Sequence, residues 1–233
     1  MDYKYQIKAV TADAIVFSII DKKLHCLLIK RGMSPFRGMW ALPGGFLKTN
    51  ESAETAFKRE LKEETGLDVK KLNRWIEFKS YSDPKRDPRN NDNYQIISIA
   101  FIGITDEDSL KLNSGSDASD VKMIPVNEIL SKKISVAFDH LKIIKDSKKH
   151  LEERAEKEDI SLDFLKNEFT ISELRNVYEE LWETSLHASN FERKITAFEN
   201  FIVKTNKTKL QGSHRPGAIY NKGRNKNILF ARN

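Results

Sequence analysis

Residues 45–67 read GFLKTNESAETAFKRELKEETGL, a stretch whose helix has its ends and faces marked by residue type. The helix is predicted to start near residues 50–52, where Asn50 or Ser52 can accept a free backbone N–H. It should stop at Gly66, the residue type that tolerates a left-handed cap. At about 100° per residue, Ala53, Ala56, Phe57 and Leu61 share one stripe, with Glu54, Lys58, Lys62 and Thr65 opposite. The stripe requires a core to face. Glu60, Glu63 and Glu64, spaced i, i+3, i+4, are expected to project from the same side, so three carboxylates point inward.

Clustered, partly desolvated carboxylates repel unless they are protonated or a cation compensates them. A hard divalent cation suits carboxylate oxygens, and Mg²⁺ commonly takes one or two carboxylates, leaving its other positions to water and phosphate. The expectation is therefore a Mg²⁺ or Mn²⁺ site built for phosphate chemistry. An ordinary charged surface helix also mixes Glu with Lys. Here, however, the lysines keep a face of their own.

Gly45, Glu51, Arg59-Glu60-Leu61, Glu63-Glu64 and Gly66-Leu67, at these spacings and preceded by Leu42-Pro43-Gly44-Gly45-Phe46, resemble a complete Nudix box. The resemblance implies an α+β fold: a Nudix α/β/α sandwich with a mixed β-sheet. It implies Glu60 and Glu64 as principal metal ligands, joined by Glu63 and the carbonyl of Gly44, with Arg59 and Glu51 orienting the carboxylates. The implied reaction is metal-assisted hydrolysis of a nucleoside diphosphate linked to another group, with Arg59, Glu63 and Glu64 among the catalytic residues. In several Nudix enzymes the general base comes from a later loop, which makes Asp117 and Asp120 candidates on position.

With 39% hydrophobic and 32% charged residues in 233, the chain is expected to form one large domain or two modest ones. It shows no apolar run of membrane-helix length and no secretory-type leader, so a cytoplasmic protein is expected. The single cysteine, Cys26, reads as a core residue of a strand. Charge is unevenly placed. Residues 201–233 hold eight basic and no acidic side chains, so by subtraction from +6 the remainder carries about −2.

In chain order, apolar runs at 12–20 and 24–30 joined by Asp21-Lys22-Lys23 read as a hairpin. Residues 72–81, 95–104 and 121–126 read as strands. The loop at 82–89, punctuated by Pro84 and Pro88, reads either as solvated or as delivering Arg86 or Arg89 to substrate oxygens; Arg31 is grouped with them as substrate-binding. Residues 137–159 form a charged helical stretch, core-facing through Phe138, Leu141 and Ile144 and solvated from Lys145 onward. The expected division is a Nudix domain at 1–136, a connector at 137–159 and a third part at 160–233.

That third part opens with a capping box, Thr170-Ile171-Ser172-Glu173, ahead of Leu174, Val177, Tyr178 and Leu181. A second box is expected at residues 189–192, heading a helix that buries Phe191, Ile195, Phe198 and Ile202. A basic hairpin follows. Helix, turn, helix and basic hairpin resemble a winged helix, whose second helix enters the major groove while the wing lies near phosphate. Candidate contacts with double-stranded DNA are Asn190, Arg193, Lys194, Lys207, Lys209, Arg215 and Arg224. A basic tail on an accessory helical module is the plainer alternative.

The order of parts resembles bacterial Nudix-related transcription regulators of NAD or sugar metabolism that sense ADP-ribose-like ligands. That resemblance implies an ADP-ribose-type ligand and a homodimer on paired half-sites. Many such regulators have eroded boxes, whereas every box carboxylate is present here. Three functions stay open: hydrolase and regulator in one chain, a non-catalytic sensing repressor, and a pure hydrolase with a dimerisation module.

Overall fold

The computed structural model describes residues 7–91, 94–110, 112, 118–209 and 216–230. The chain divides into two compact units, Met1–Phe17 with His25–Ser147, and Ser18–Leu24 with Lys148–Asn233.

The expected hairpin forms from β1 (Ile7–Ile20) and β2 (Lys23–Arg31). Asp21 and Lys22 between them both adopt positive φ, the backbone that a two-residue turn between twisted strands needs. β3 (Trp40–Ala41) and β4 (Gly44–Phe46) precede α1 (Ala53–Thr65). β5 (Arg74–Tyr81), β6 (Tyr94–Ile104), β7 (Ala118–Pro125), α2 (Val126–Leu130) and α3 (His140–Ala155) follow. The strands form one seven-stranded sheet in the order β3-β2-β1-β6-β5, with β4 on β1 and β7 on β2. β1 runs parallel to β6, while β4, β5 and β7 pair antiparallel with their neighbours, so the sheet is mixed as expected.

Helix α1 has the predicted ends. Ser52 accepts from the Thr55 N–H, and Gly66 closes the helix at φ 74° with its N–H on the Lys62 carbonyl. Its apolar stripe packs on the sheet: Ala56, Phe57 and Leu61 are buried with Ala12, Val16, Leu27 and Phe101. The Phe57 and Phe101 rings stack at 4.7 Å. Thr65 corrects the helical wheel, being buried rather than outward. Its hydroxyl donates to the Leu61 carbonyl and accepts from the Leu67 N–H, so no polar group is left unmade. Cys26 is a buried core residue, and burial pushes its thiol pKa up.

In the second unit, β8 (Glu168–Thr170), α4 (Ile171–Trp182), α5 (Ala188–Thr196), β9 (Ile202–Lys209) and β10 (Gly217–Lys222) follow one another. The strands form a separate sheet in the order β8-β10-β9. The capping box at Thr170 and Glu173 forms as predicted. Tyr178 anchors the core, its ring 4.8 Å from Trp182, 5.0 Å from Phe230 and 5.5 Å from Phe191.

Two expectations fail here. Residues after Lys145 are not wholly solvated, because Ser147, Lys148, Leu151 and Ala155 recur along one face of α3 and are buried. The Lys148 ammonium is satisfied by Glu152, Glu183 and the Leu181 carbonyl. Nor does the second capping box form: α5 starts after His187 with no side-chain cap and ends at Thr196. Asn200, at φ 57°, turns the chain so that Phe201 is buried and Ile202 opens β9, which removes Phe198 and Ile202 from the helix. Among the described residues no helix is long and apolar enough to cross a membrane.

Candidate active site

The pairing of β1 with β4 sets Asp13 opposite Gly44 and Ala12 opposite Gly45. Both glycines are required by close approach. A Cβ on Gly45 would stand 2.3 Å from Glu60 Oε1, and one on Gly44 would stand 2.5 Å from Asp13 Oδ1. The strand therefore passes directly over the C-terminal half of α1, and the Gly44 N–H donates to Glu64 Oε2 at 2.8 Å.

Glu60 and Glu64, four residues apart on the buried face, line a pocket of about 280 Å³ together with Asp13, Arg31, Arg86 and Arg89. Burial pushes the Glu64 carboxyl up to about 8, aided by the charges of Glu60 and Asp13 and opposed by the Gly44 N–H and Arg31. Glu63 precedes Glu64 by one residue, about 100° around the helix. It is exposed and outside the pocket lining, so two carboxylates point inward rather than three. Arg59 ties the box together. It donates to Glu51 through Nε and Nη2 at 2.7 Å each, and through Nη1 to Glu60 at 2.5 Å and Glu63 at 3.1 Å. Those bonds hold Glu51 down to about 2.

The loop at 82–89 is not solvated along its length, because Arg86 and Asp87 are buried. Arg86 makes a two-pronged contact with Asp139 at 2.8 and 3.1 Å and lies 3.7 Å from Asp13. Arg89 is held in the same way by Asp87. Arg31 differs: its Nε donates to the Pro35 carbonyl, and among the described residues no carboxylate lies within ion-pair distance of it. Burial, and then the neighbouring Arg89, lower its pKa.

Sequence reasoning missed Asp13, Asp139 and His140. Asp13 accepts from the Ser98 hydroxyl, and burial raises its pKa. Buried His140 accepts the Leu42 N–H at Nδ1, and burial pushes its pKa down to about 3. One signal was available: Asp13 is an acid inside the apolar run AVTADAIVFSII. Nothing local marked the other two.

Asp120 lies outside the pocket lining. It pairs with Lys122 at 3.0 Å, which holds its carboxyl below the usual range. Asp117 and Arg215 lie outside the described residues. In the second unit Asn190, Arg193 and Arg224 are exposed and Lys194 is half-buried. Lys207 pairs with Glu168 at 2.5 Å and Lys209 with Glu173 at 2.8 Å.

Among the described residues no three His, Cys, Asp or Glu side chains are arranged to hold an ion between them. The donor set nevertheless fits a hard divalent ion that is completed by water and phosphate. Glu64, desolvated and repelled by Glu60, shares an open pocket with Glu60 and the arginines.

The profile of the NUDIX domain matches residues 10–146. The chain belongs to the Nudix family. A second profile, the NrtR DNA-binding winged helix domain, matches residues 161–221. The Nudix family generally uses divalent metals. The chain is 44% identical over 131 residues to an ADP-ribose pyrophosphatase of Methanocaldococcus jannaschii, covering 56% of this chain and 70% of that protein. It is 27% identical over 218 residues to the ADPR responsive transcriptional repressor NtrR of Acinetobacter baylyi, covering 93% of this chain and 82% of that one. A crystal structure of Shewanella oneidensis NrtR complexed with a 27mer DNA superposes with a TM-score of 0.77 at 25% identity, covering 94% and 99% of the two chains. This Nudix domain is thus followed by a winged-helix domain, as in NrtR.

Proposed function

We propose that the protein is a Mg²⁺-dependent pyrophosphohydrolase of ADP-ribose, or of a closely related nucleoside diphosphate derivative, and a DNA-binding regulator that responds to the same ligand. The observation carrying the hydrolase reading is the convergence of Glu60 and Glu64 with Arg31, Arg86 and Arg89 on one pocket. Carboxylates there serve a cation and guanidinium groups serve phosphate oxygens.

Glu60 and Glu64, with the Gly44 carbonyl, would hold the ion; bound there, it neutralises the diphosphate and lowers the pKa of the attacking water. Arg59 fixes Glu60 and Glu51, and Glu63 holds the outer edge of Arg59. Arg31, with no carboxylate partner among the described residues, is assigned to a substrate phosphate. Arg86 and Arg89 are held by Asp139 and Asp87 with their guanidinium groups on the pocket wall, where they orient the diphosphate. Water adds to one phosphorus and a phosphoanhydride oxygen leaves, giving AMP and ribose 5-phosphate from ADP-ribose. Asp120 is committed to Lys122, and Asp117 is assigned the role of general base.

For the second unit, we assign Asn190, Arg193 and Lys194 on α5 to the major groove. Lys207, Lys209, Arg215 and Arg224 are assigned to backbone phosphate, in a homodimer that reads two half-sites in the cytoplasm. The matched winged-helix profile and the exposure of Asn190 and Arg193 support this assignment.

The test is hydrolysis by purified protein with Mg²⁺ across ADP-ribose, NADH, diadenosine polyphosphates and nucleotide sugars, with DNA retention measured alongside. Turnover of ADP-ribose lost in Glu64→Gln, with DNA binding intact, supports the reading. Tight ADP-ribose binding without turnover would leave a sensor and remove the enzyme.

A further inference from the structure

Four large hydrophobic side chains are exposed among the described residues: Met33, Phe46, Val203 and Leu229. Two of them, Met33 at 62% and Phe46 at 39% exposure, line the same pocket as the box carboxylates. An apolar surface left in water beside a charged site marks a place where a ligand brings apolar surface of its own.

The neighbourhood of those side chains is aromatic and cationic. The Arg89 guanidinium carbon lies 5.3 Å from the Phe46 ring centroid and 5.5 Å from that of Phe138, while that of Arg31 lies 4.7 Å from Phe138. Phe36 meets Phe138 edge-on at 4.9 Å. Phe36 and Phe138 both have left-handed backbones, at φ 63° and 54°. Bulky side chains rarely adopt that conformation, and it persists where surrounding structure or function holds it. Here it sets one ring against the other and places Phe138 in the pocket wall beneath two arginines.

We propose that Phe46, with Met33 and the Arg89 guanidinium beside it, forms a seat for the planar base of a nucleoside diphosphate substrate. The inference rests on the hydrolase reading and deepens it. Phosphate is served by the N–H groups of the arginines and by the ion; the base is served by Phe46, the one exposed aromatic ring among the described residues that line the pocket, and by the flat face of Arg89. Aromatic faces and guanidinium planes both stack bases, without selecting strongly among them. Recognition of this kind excludes a bare sugar diphosphate and admits several nucleotides.

The test is competition against ADP-ribose hydrolysis by ADP, which carries a base, and by inorganic pyrophosphate, which does not, in excess Mg²⁺. Wild type, Phe46→Ala, Phe46→Tyr and Met33→Ala are compared, each checked for an unchanged thermal transition. In Phe46→Ala the inhibition constant for ADP should rise about tenfold more than that for pyrophosphate. Phe46→Tyr should restore it, and Met33→Ala should show the same selective loss to a lesser degree. Equal weakening of both inhibitors, or no change in either, would overturn the seat while leaving the hydrolase standing. If the wild type fails to turn over ADP-ribose, the functional reading falls instead. Calorimetric binding of ADP and pyrophosphate then decides the seat by the same ratio.

Discussion

The arginines of the pocket and the basic residues of the winged helix carry the same charge in opposite circumstances. Arg86 is buried between Asp139 and Asp13, whereas Arg193 on α5 is exposed and Lys207 on β9 makes an exposed pair with Glu168. A desolvated charge is held to one geometry by its partners, and losing either side is costly. An exposed one contributes little to the fold and acquires its role when a partner arrives. Arg86 and Arg89 are therefore held in place in the free protein, and the exposed basic residues of the second unit are a store of positive potential.

The sharpest way to break this contrast is to remove the two kinds of arginine in turn. Arg86→Ala leaves the buried Asp13 and the partly buried Asp139 without their shared cation and should cost about 3–5 kcal/mol of stability by denaturant unfolding. Arg193→Ala should change stability by less than about 0.5 kcal/mol. Equal losses would mean that the pocket ion pair is not the structural element the distances indicate.

Glu64→Gln keeps the shape of the side chain and its bond from the Gly44 N–H, and removes the carboxylate proposed to hold the ion. Turnover should fall about a hundredfold or more with retention of DNA in a gel assay unchanged.

A pH titration sharpens the comparison within the pocket. His140 is buried neutral, with a folded pKa of about 3 against about 6.5 when unfolded. Between these values the unfolded chain binds the extra proton, so stability is full above pH 6.5 and falls as pH drops toward 3. The loss should reach about 2 kcal/mol at pH 5. Asp13, whose folded pKa is raised, acts in the opposite sense and blunts the slope. His140→Gln should flatten the acid limb of the thermal melting profile; an unchanged limb would assign the effect to other groups.

The smallest effect belongs to the wing. Lys207→Ala should leave stability within about 0.5 kcal/mol and lower the slope of log affinity for DNA against log salt by about one. An unchanged slope would show that Lys207 neutralises no phosphate.

The comparison also separates what was legible along the chain from what was not. Helix α1, its caps at Ser52 and Gly66, and the capping box at Thr170 are local events, in which a side chain meets backbone a few residues away. The four-residue spacing of Glu60 and Glu64 is local as well. Residue type and spacing suffice for these. Local patterns misled in three places. Ser189 to Glu192 spells a cap that the chain does not use. The charges after Lys145 concealed a buried stripe in which Lys148 is neutralised by Glu152 and Glu183. Arg86 stood in a loop whose composition favoured solvent.

By itself the sequence determined the box helix, the Nudix pattern, the hairpin of β1 and β2, and the uneven charge that sets the C-terminal part apart. The tertiary structure decided that Glu64 turns inward while Glu63 faces solvent, and that among the described residues Arg31 stands without a carboxylate while Arg86 has two. It also decided that Phe46 remains exposed beside a charged pocket. The physical reason is range. Caps and helical faces are fixed by hydrogen bonds and periodicity over a few residues. Burial, and with it the protonation and pairing of every charge in the pocket, is fixed by strands and loops that meet only when the sheet has formed.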